Sequence, residues 1–376
     1  MQEIYGSVRP AWIEIDIAQL RKNFELISKD KPANLEFISV IKDQAYGHGA
    51  IEVAKIALKF GATYLAVATI DEALELRKNF PAAPIMILGE RTEEELRLTL
   101  EHDFTCCIND IEKANLFAKL AAGANKRPNI HIKVDTGMNR YGVSWRRAIE
   151  VIEHISKLKQ LELEGVMSHF AMSDELDKSF ALTQLERFKQ VLVEMENRGI
   201  KVKYRHICNS GGFLDLPQAH FNMVRMGILP FGVYPSEVCR RILGVLPVMS
   251  AKCKIDSIRD IEIGDSVGYG MHYMAESPRR IAVLPIGYGD GYPRIRNKGS
   301  VLIHGQRAPI IGGNAMDAMM VDITDIPQTR MWDEVVLMGR QENEEISARE
   351  IGQLRNSITY NTLTGWSCRL SRIYKK

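Results

Sequence analysis

The chain has 376 residues, 45% hydrophobic and 26% charged, the composition of a soluble globular protein with one large or two medium domains. Lys and Arg total 49 against 47 Asp and Glu, with no long run of one sign, which argues against a nucleic-acid or anionic-membrane partner and leaves small polar substrates. The N-terminus MQEIYGSVRPAWIEID has no secretory pattern, no membrane-spanning apolar stretch is present, and the six cysteines show neither C-x-x-C nor zinc spacing; the expectation is a cytoplasmic protein with reduced thiols and no metal.

From about residue 36 to 230, short apolar runs alternate with longer amphipathic segments. The runs EFISVIK, TYLAVA, PIMIL, DFTCCI, NIHIKVD, LEGVMSHF, YRHIC and NMVRMG are rich in β-branched or aromatic residues and predict strands. Between them, AIEVAKIALKF, IDEALELRKNF, EEELRLTL, DIEKANLFAKL, RRAIEVIEHI and LTQLERFKQVLVEMENRG place apolar residues near i, i+3, i+4 and i+7 and predict helices. Such alternation implies a parallel sheet, and eight units predict an N-terminal (β/α)8 TIM-like barrel over residues 1–240, with function at the C-terminal strand ends. Beyond about residue 240 the helical periods largely stop. VMSAKCKIDSI, RRIAVLPIG, SVLIHGQRAPIIG, MMVDITD and DEVVLMG, separated by Gly, Asp and Pro, predict a C-terminal mostly β domain over 241–376.

The predicted strand ends carry Lys42, then Lys133, Asp135 and Arg140 in KVDTGMNRYG, His169 in MSHF, Asn209 and Ser210 in NSGG, and Arg225 with Gly227 and Ile228. Singly, each has a plain structural explanation: a snorkelling lysine, a satisfied histidine, a glycine turn. Gathered on the functional face of one barrel, they predict a site. A lysine there can hold an aldehyde cofactor as a Schiff base, and pyridoxal 5'-phosphate is the common one. Ser210 and the backbone N–H groups of Gly227 and Ile228 would cradle its phosphate. Arg225 facing the pyridine nitrogen would hydrogen-bond it without protonating it, which weakens the ring as an electron sink and favours clean proton exchange over transamination.

Taken together, AYGHG after Lys42, KVDTGMNRYG, MSHF, RHICNSGG, VRMGI, VGYGMHY, LPIGYGDGY, AMDAMMVD and ITYNTL resemble the alanine racemases, in order and over nearly the whole chain. The resemblance implies a pyridoxal-phosphate barrel enzyme with a second, β domain, and a cytoplasmic role in supplying D-alanine for peptidoglycan. It implies Lys42 as Schiff-base lysine and base on one face of the substrate α-carbon, and Tyr269, brought by the second subunit of a homodimer with shared active sites, as base on the other. His169, bonded to Arg225, would assist the tyrosine. Arg140 would hold the substrate carboxylate, with Met316 of the partner chain adding its backbone. Lys133 matches a lysine that many members carry as a carbamate, with a plain lysine paired to an anion as the alternative. Tyr46, Ser210 and Tyr360 would bind the phosphate, with His169 and Asn209 among the cofactor contacts; Asp174, Tyr288 and Arg294 would line the entry route, and Tyr273 would pack in the β domain.

The chain departs from the family pattern at Asp43-Gln44, at Gly313 where an arginine of the entry corridor is common, at Phe231 for a tyrosine, and in the closing RLSRIY. None removes a catalytic group, but together they bear on specificity. A racemase of another small amino acid such as serine is the near alternative, because one hydroxyl or methylene is discriminated by only about 1–3 kcal/mol. A pyridoxal-phosphate decarboxylase would want a carboxylate at the pyridine nitrogen, against Arg225. A non-catalytic pyridoxal-phosphate homeostasis protein would have no need of Tyr269 or a β domain.

Overall fold

The computed structural model describes residues 8–376. The first seven residues of the N-terminal reading and of the 1–240 assignment lie outside the described residues. All eight apolar runs form strands: β1 Glu36–Val40, β2 Tyr64–Val67, β3 Ile85–Ile87, β4 Thr105–Ile108, β5 Asn129–Asp135, β6 Glu162–Met167, β7 Tyr204–His206 and β8 Met223–Met226. They pair in parallel in the order β8-β1-β2-β3-β4-β5-β6-β7. At the seam, the Arg225 N–H in β8 donates to the Cys208 carbonyl just past β7 at 3.0 Å. Every residue of β2, β3, β4 and β8 is buried, as parallel strands covered on both faces require; Cys106 and Cys107 in β4 are part of that core.

Helices occupy Ala50–Lys59, Ile70–Asn79, Glu93–Glu101, Ile111–Gly123, Ala148–Ser156 and Ser179–Asn197, where the apolar periodicity places them. Three of the starts are specified chemically. Thr69 with Glu72 and Thr92 with Glu95 form capping boxes, and Asp110 accepts the Lys113 N–H at 2.7 Å.

The segment after β1 was not foreseen. Lys42–Tyr46 is a helical turn of left-handed sense, with φ of 54, 51, 53 and 55° at Asp43, Gln44, Ala45 and Tyr46. A left-handed turn costs L-residues roughly 1–2 kcal/mol each, so its bonds must offset that strain. The Asp43 N–H donates to Glu72, the Gln44 amide donates to Glu75 at 2.9 Å and accepts the Ala50 N–H at 3.4 Å, and the Gln44 carbonyl accepts the Gly49 N–H at 2.7 Å.

The chain divides into two compact units, Arg21–Ala45 with Gly49–Leu246, and Pro247–Lys376 with Tyr46–His48 and the described residues up to Leu20. The first holds the barrel. The second is built on a sheet in the order Ser257–Ile261, Arg279–Leu284, Met319–Asp322, Gln306–Ile311, Ser300–Ile303, Glu334–Gln341, Met249–Lys254, Ala11–Asp16, Ser371–Lys375. Ala11–Asp16 therefore differs from the 1–240 assignment: it pairs antiparallel with Met249–Lys254 and parallel with Ser371–Lys375. Its alternation buries Ala11, Ile13 and Ile15, but alternation specifies a half-buried strand and not which sheet it joins.

Candidate active site

The barrel's C-terminal strand ends gather most of the expected residues. Lys42 follows β1, Lys133 lies in β5, and Arg140 follows on a loop shaped by Asp135, whose Oδ1 accepts the N–H groups of Gly137, Met138 and Asn139 at 2.9, 3.0 and 3.1 Å. His169 follows β6, Asn209 and Ser210 follow β7, and Arg225 lies in β8. The charges act on one another. The Lys42 amine is pulled below its ordinary range by burial and then by Arg140. Lys133, buried and with its Nζ 5.4 Å from the Tyr141 ring centroid, is pushed down to about 8 by the same two causes in the same order. His169 is held well below its usual range, first by desolvation and then by Arg225, Arg140, Lys133 and Lys42. A mouth where cations depress one another is a site prepared for anions.

Arg225 is 4% exposed and fixed on four sides. Its Nη2 donates to the carbonyls of Ser168 at 2.7 Å and Ile207 at 3.0 Å and to His169 Nδ1 at 2.9 Å; its Nη1 donates to His206 Nδ1 at 2.7 Å and the His206 carbonyl at 3.4 Å. Because a guanidinium only donates, His169 must accept through Nδ1 and, being neutral, carry its proton on Nε2. The Nε–H of Arg225 has no acceptor among the described residues. Ser210 Oγ accepts the N–H groups of Gly227 at 3.0 Å and Leu229 at 3.4 Å, which leaves its own proton to give. Gly227 thus reaches an anion only through Ser210, whereas the Ile228 N–H finds no acceptor among the described residues. Asn209 is a cap: its Oδ1 accepts the Gly212 N–H at 2.9 Å and the Ser173 hydroxyl at 2.7 Å. Phe231 is buried in the turn that closes on Ile228, and the Asp174 carbonyl accepts the Ser236 hydroxyl.

The free donors test whether a pyridoxal phosphate fits. The Arg225 Nε–H suits a ring nitrogen, the Ser210 hydroxyl and Ile228 N–H suit a phosphate, and Lys42 suits an aldehyde carbon. The residues present fit the group.

In the second unit, Tyr269, Tyr288, Arg294 and Met316 line one cavity of about 760 Å³, with Arg296, Lys298, Gly313 and Asp317. Its loops are latched together. Tyr288 N–H donates to the Ala315 carbonyl at 3.1 Å and Gly289 N–H to the Met316 carbonyl at 2.7 Å, an approach so close that a Cβ on Gly287 would stand 2.2 Å from the Ala315 oxygen. Buried Asp290 anchors this turn by accepting from Arg9 at 2.6 and 2.8 Å and from the Gly287 N–H at 3.0 Å. Asn314 ties Pro293 and Ile295 to the same cavity wall through its side-chain amide, and Arg296 passes over Gly313, its Cγ 3.5 Å from where a Cβ would be. Tyr269 is 74% exposed. The Tyr46 and Tyr360 rings lie 6.0 Å apart, and Tyr273 packs against the cluster of Val267, Ile281 and Ile311.

Sequence reasoning missed a set of polar residues inside the barrel: buried Tyr64 in β2, His131 in β5 and His206 in β7, with half-buried Glu164 in β6. Their one signal was a polar or ionisable side chain within an otherwise apolar strand, NIHIKVD and YRHIC above all.

A parallel barrel with such a mouth, joined to a β unit that presents a tyrosine at a basic cavity, defines a two-domain barrel enzyme. Residues 15–235 match the family model for the alanine racemase N-terminal domain, and 248–374 that for the alanine racemase C-terminal domain. The chain is 40% identical to an alanine racemase of Carboxydothermus hydrogenoformans, over 98% of this chain and 100% of the relative, and 39% identical to one of Methanococcus maripaludis, over 97% and 98%. Among solved structures it resembles an alanine racemase of Clostridium difficile 630, with a TM-score of 0.93, 34% identity and coverage of 98% of this chain and 97% of that one. A Bacillus anthracis alanine racemase with bound L-Ala-P gives a TM-score of 0.92 and 33% identity, over 99% and 96%. The chain belongs to the alanine racemase family.

Proposed function

We propose that the chain interconverts L- and D-alanine with pyridoxal 5'-phosphate, using Lys42 and Tyr269 as bases on opposite faces of the α-carbon. The observation that carries this reading is Lys42, an amine depressed by burial and by Arg140, at the same barrel mouth as an Arg225 whose one unsatisfied donor is Nε–H. When bound, the cofactor withdraws electrons from the α-carbon and so acidifies its proton. Lys42 holds the cofactor and takes or returns that proton on its own face; burial and Arg140 both favour its neutral amine. Tyr269 serves the other face, and the Nε2–H of His169, oriented by Arg225, stabilises the phenolate it forms. Arg140 holds the substrate carboxylate with its planar fork, and Met316 adds its backbone. Ser210, Ile228, Tyr46 and Tyr360 bind phosphate, with Gly227 and Asn209 shaping the cradle, and Asp174, Tyr288 and Arg294 guide entry.

Tyr269 at 74% exposure supports a homodimer in which each subunit lends it to the other's site. Lys133, pushed down to about 8, has enough neutral amine to form a carbamate, which would turn a cation that repels Arg140 into an anion that pairs with it. No helix among the described residues is long and apolar enough to cross a membrane, and a cytoplasmic enzyme that supplies D-alanine for peptidoglycan is consistent with that. The test is α-proton exchange by NMR in deuterated buffer, with added pyridoxal 5'-phosphate and L-alanine, L-serine and L-lysine in parallel. Exchange with loss of chirality for alanine alone is expected; racemisation of serine at a comparable rate would move the assignment to the wider small-amino-acid class, and exchange without inversion would contradict it.

A further inference from the structure

Behind Arg225, and away from the donors assigned to the cofactor, a chain of polar side chains runs through the barrel interior. Arg225 Nη1 lies 2.7 Å from His206 Nδ1, His206 Nε2 lies 2.9 Å from His131 Nδ1, and His131 Nε2 lies 3.2 Å from Glu164 Oε2. The same Glu164 oxygen accepts the Tyr64 hydroxyl at 2.6 Å, and Tyr64 in turn accepts from Thr105 at 3.4 Å. Six of the eight barrel strands contribute one member each. Both imidazoles are fully buried.

The chemistry of its two ends gives this chain one direction. Arg225 only donates, so His206 Nδ1 must be an acceptor, and a neutral His206 carries its proton on Nε2 and donates it to His131 Nδ1. His131 therefore carries its proton on Nε2 and donates to Glu164, which as a carboxylate only accepts. Burial disfavours the charged form of both histidines, with Arg225 acting in the same sense; at His131 it prevails over the opposing pull of Glu164. Burial of Glu164 opposes its charge, but the hydrogen bonds from His131 and Tyr64 prevail and keep its carboxyl below the usual range. The backbone makes room for this arrangement. A Cβ on Gly165, next to Glu164, would stand 2.4–2.9 Å from three atoms of the His131 ring.

We propose that Glu164 and His131 are positioning residues that fix the guanidinium of Arg225 from inside the barrel, through the one-way chain Arg225 to His206 to His131 to Glu164. Reversing either imidazole would set an N–H of His206 against an N–H of Arg225 and push the guanidinium off its seat. The accept-only carboxylate at the far end prevents that reversal. The consequence for catalysis rests on the reading above, in which Arg225 turns Nε–H to the ring nitrogen of the cofactor; the chain itself does not depend on it.

The test uses the full chain labelled with 15N, with and without pyridoxal 5'-phosphate, reading the tautomers from long-range proton–nitrogen couplings. His131 and His206 are expected neutral and protonated on Nε2 in both states. Either ring protonated on Nδ1 would overturn the proposal. Glu164→Gln, nearly the same shape, offers a donor as well as an acceptor, so both histidines should populate the second tautomer and the Arg225 Nη–H signals should broaden or shift. With cofactor bound, kcat for alanine should fall about tenfold to a hundredfold with KM little changed, the signature of a displaced group and not of lost substrate contact. His131→Gln, which still accepts from His206 and donates to Glu164, should recover most of what His131→Leu loses. Nitrogen spectra and kcat of Glu164→Gln equal to those of the unaltered chain would overturn the proposal as well. Failure of the underlying reading shows elsewhere: Arg225→Lys would then leave the bound cofactor's absorption band unchanged, while the histidine nitrogens of the unaltered chain still report the relay.

Discussion

Lys42 and Lys133 share one cation, Arg140, and are pushed down by it after burial has already acted. For Lys42 the expected outcome of Lys42→Ala is a folded protein that no longer develops the near-visible absorbance of a lysine-bound pyridoxal phosphate, and whose racemisation falls to background. For Lys133 the linkage has a definite sign. Its amine sits at about 8 when folded and near 10.4 in an unfolded chain. Between those values the unfolded state binds more protons, so this residue's contribution to stability rises with pH across about 8 to 10.4 and is a constant penalty below. Urea midpoints of the cofactor-free protein in bicarbonate-free buffer, compared with Lys133→Met, should show that rise as a difference between the two; a flat difference would contradict it. In 13C-bicarbonate, a carbamate carbonyl signal should appear in the unaltered chain and be missing in Lys133→Met. At this scale the mouth was legible, because strand ends are where a parallel barrel puts its chemistry: Lys42 and His169 close or follow apolar runs, and Lys133 and Arg225 lie near the ends of theirs. The relay of His131 and Glu164 was not legible, because a lone polar residue in a strand gives no indication of which other strands' polar residues it meets across the barrel.

The left-handed turn Asp43–Tyr46 is held by bonds to one helix, Ile70–Asn79, through Glu72 and Glu75. Glu72 also completes that helix's capping box by accepting the N–H groups of Ala68 at 2.8 Å and Thr69 at 3.1 Å. One carboxylate therefore both starts a helix and seats the turn that follows Lys42. Glu72→Ala should cost roughly 1–2 kcal/mol of stability, from the lost cap and the unsatisfied N–H groups, measured by urea unfolding. It should also weaken pyridoxal phosphate binding in a titration followed by absorbance, whereas Glu52→Ala, in an exposed surface pair, should stay within about 0.5 kcal/mol and bind normally. Equal effects of the two changes would detach the turn from the helix cap. The barrel helices were legible from apolar spacing alone, and the Thr-x-x-Glu caps of two of them agree with it. The turn was not: neither Asp43, Gln44 nor Ala45 signals positive φ as glycine would, and local sequence favours the ordinary right-handed sense. Ala11–Asp16 escaped for a different reason, since its partners lie more than 230 residues away along the chain.

At the scale of the whole molecule, the chain exposes a group of large side chains: Tyr269 at 74%, Met271 at 63%, Met274 and Met316 each at 55%. All four lie in or just after VGYGMHY or in AMDAMMVD. The strand-helix rhythm and the later β texture made the two-part architecture readable, but a tyrosine in VGYGMHY does not say which copy of the chain it serves; that expectation came from the family resemblance. A dimer that shares its sites makes a prediction no single-chain site makes. Lys42→Ala and Tyr269→Phe should each be nearly inactive alone, with Tyr269→Phe still binding cofactor. Coexpressed in equal amounts, half of the dimers carry one of each chain, and each of these has one site with both bases intact. Racemisation of alanine by that mixture should recover to about a quarter of the activity of the unaltered enzyme, whereas a mixture as inactive as its components would contradict the placement of Lys42 and Tyr269, from two subunits, on opposite faces of one substrate.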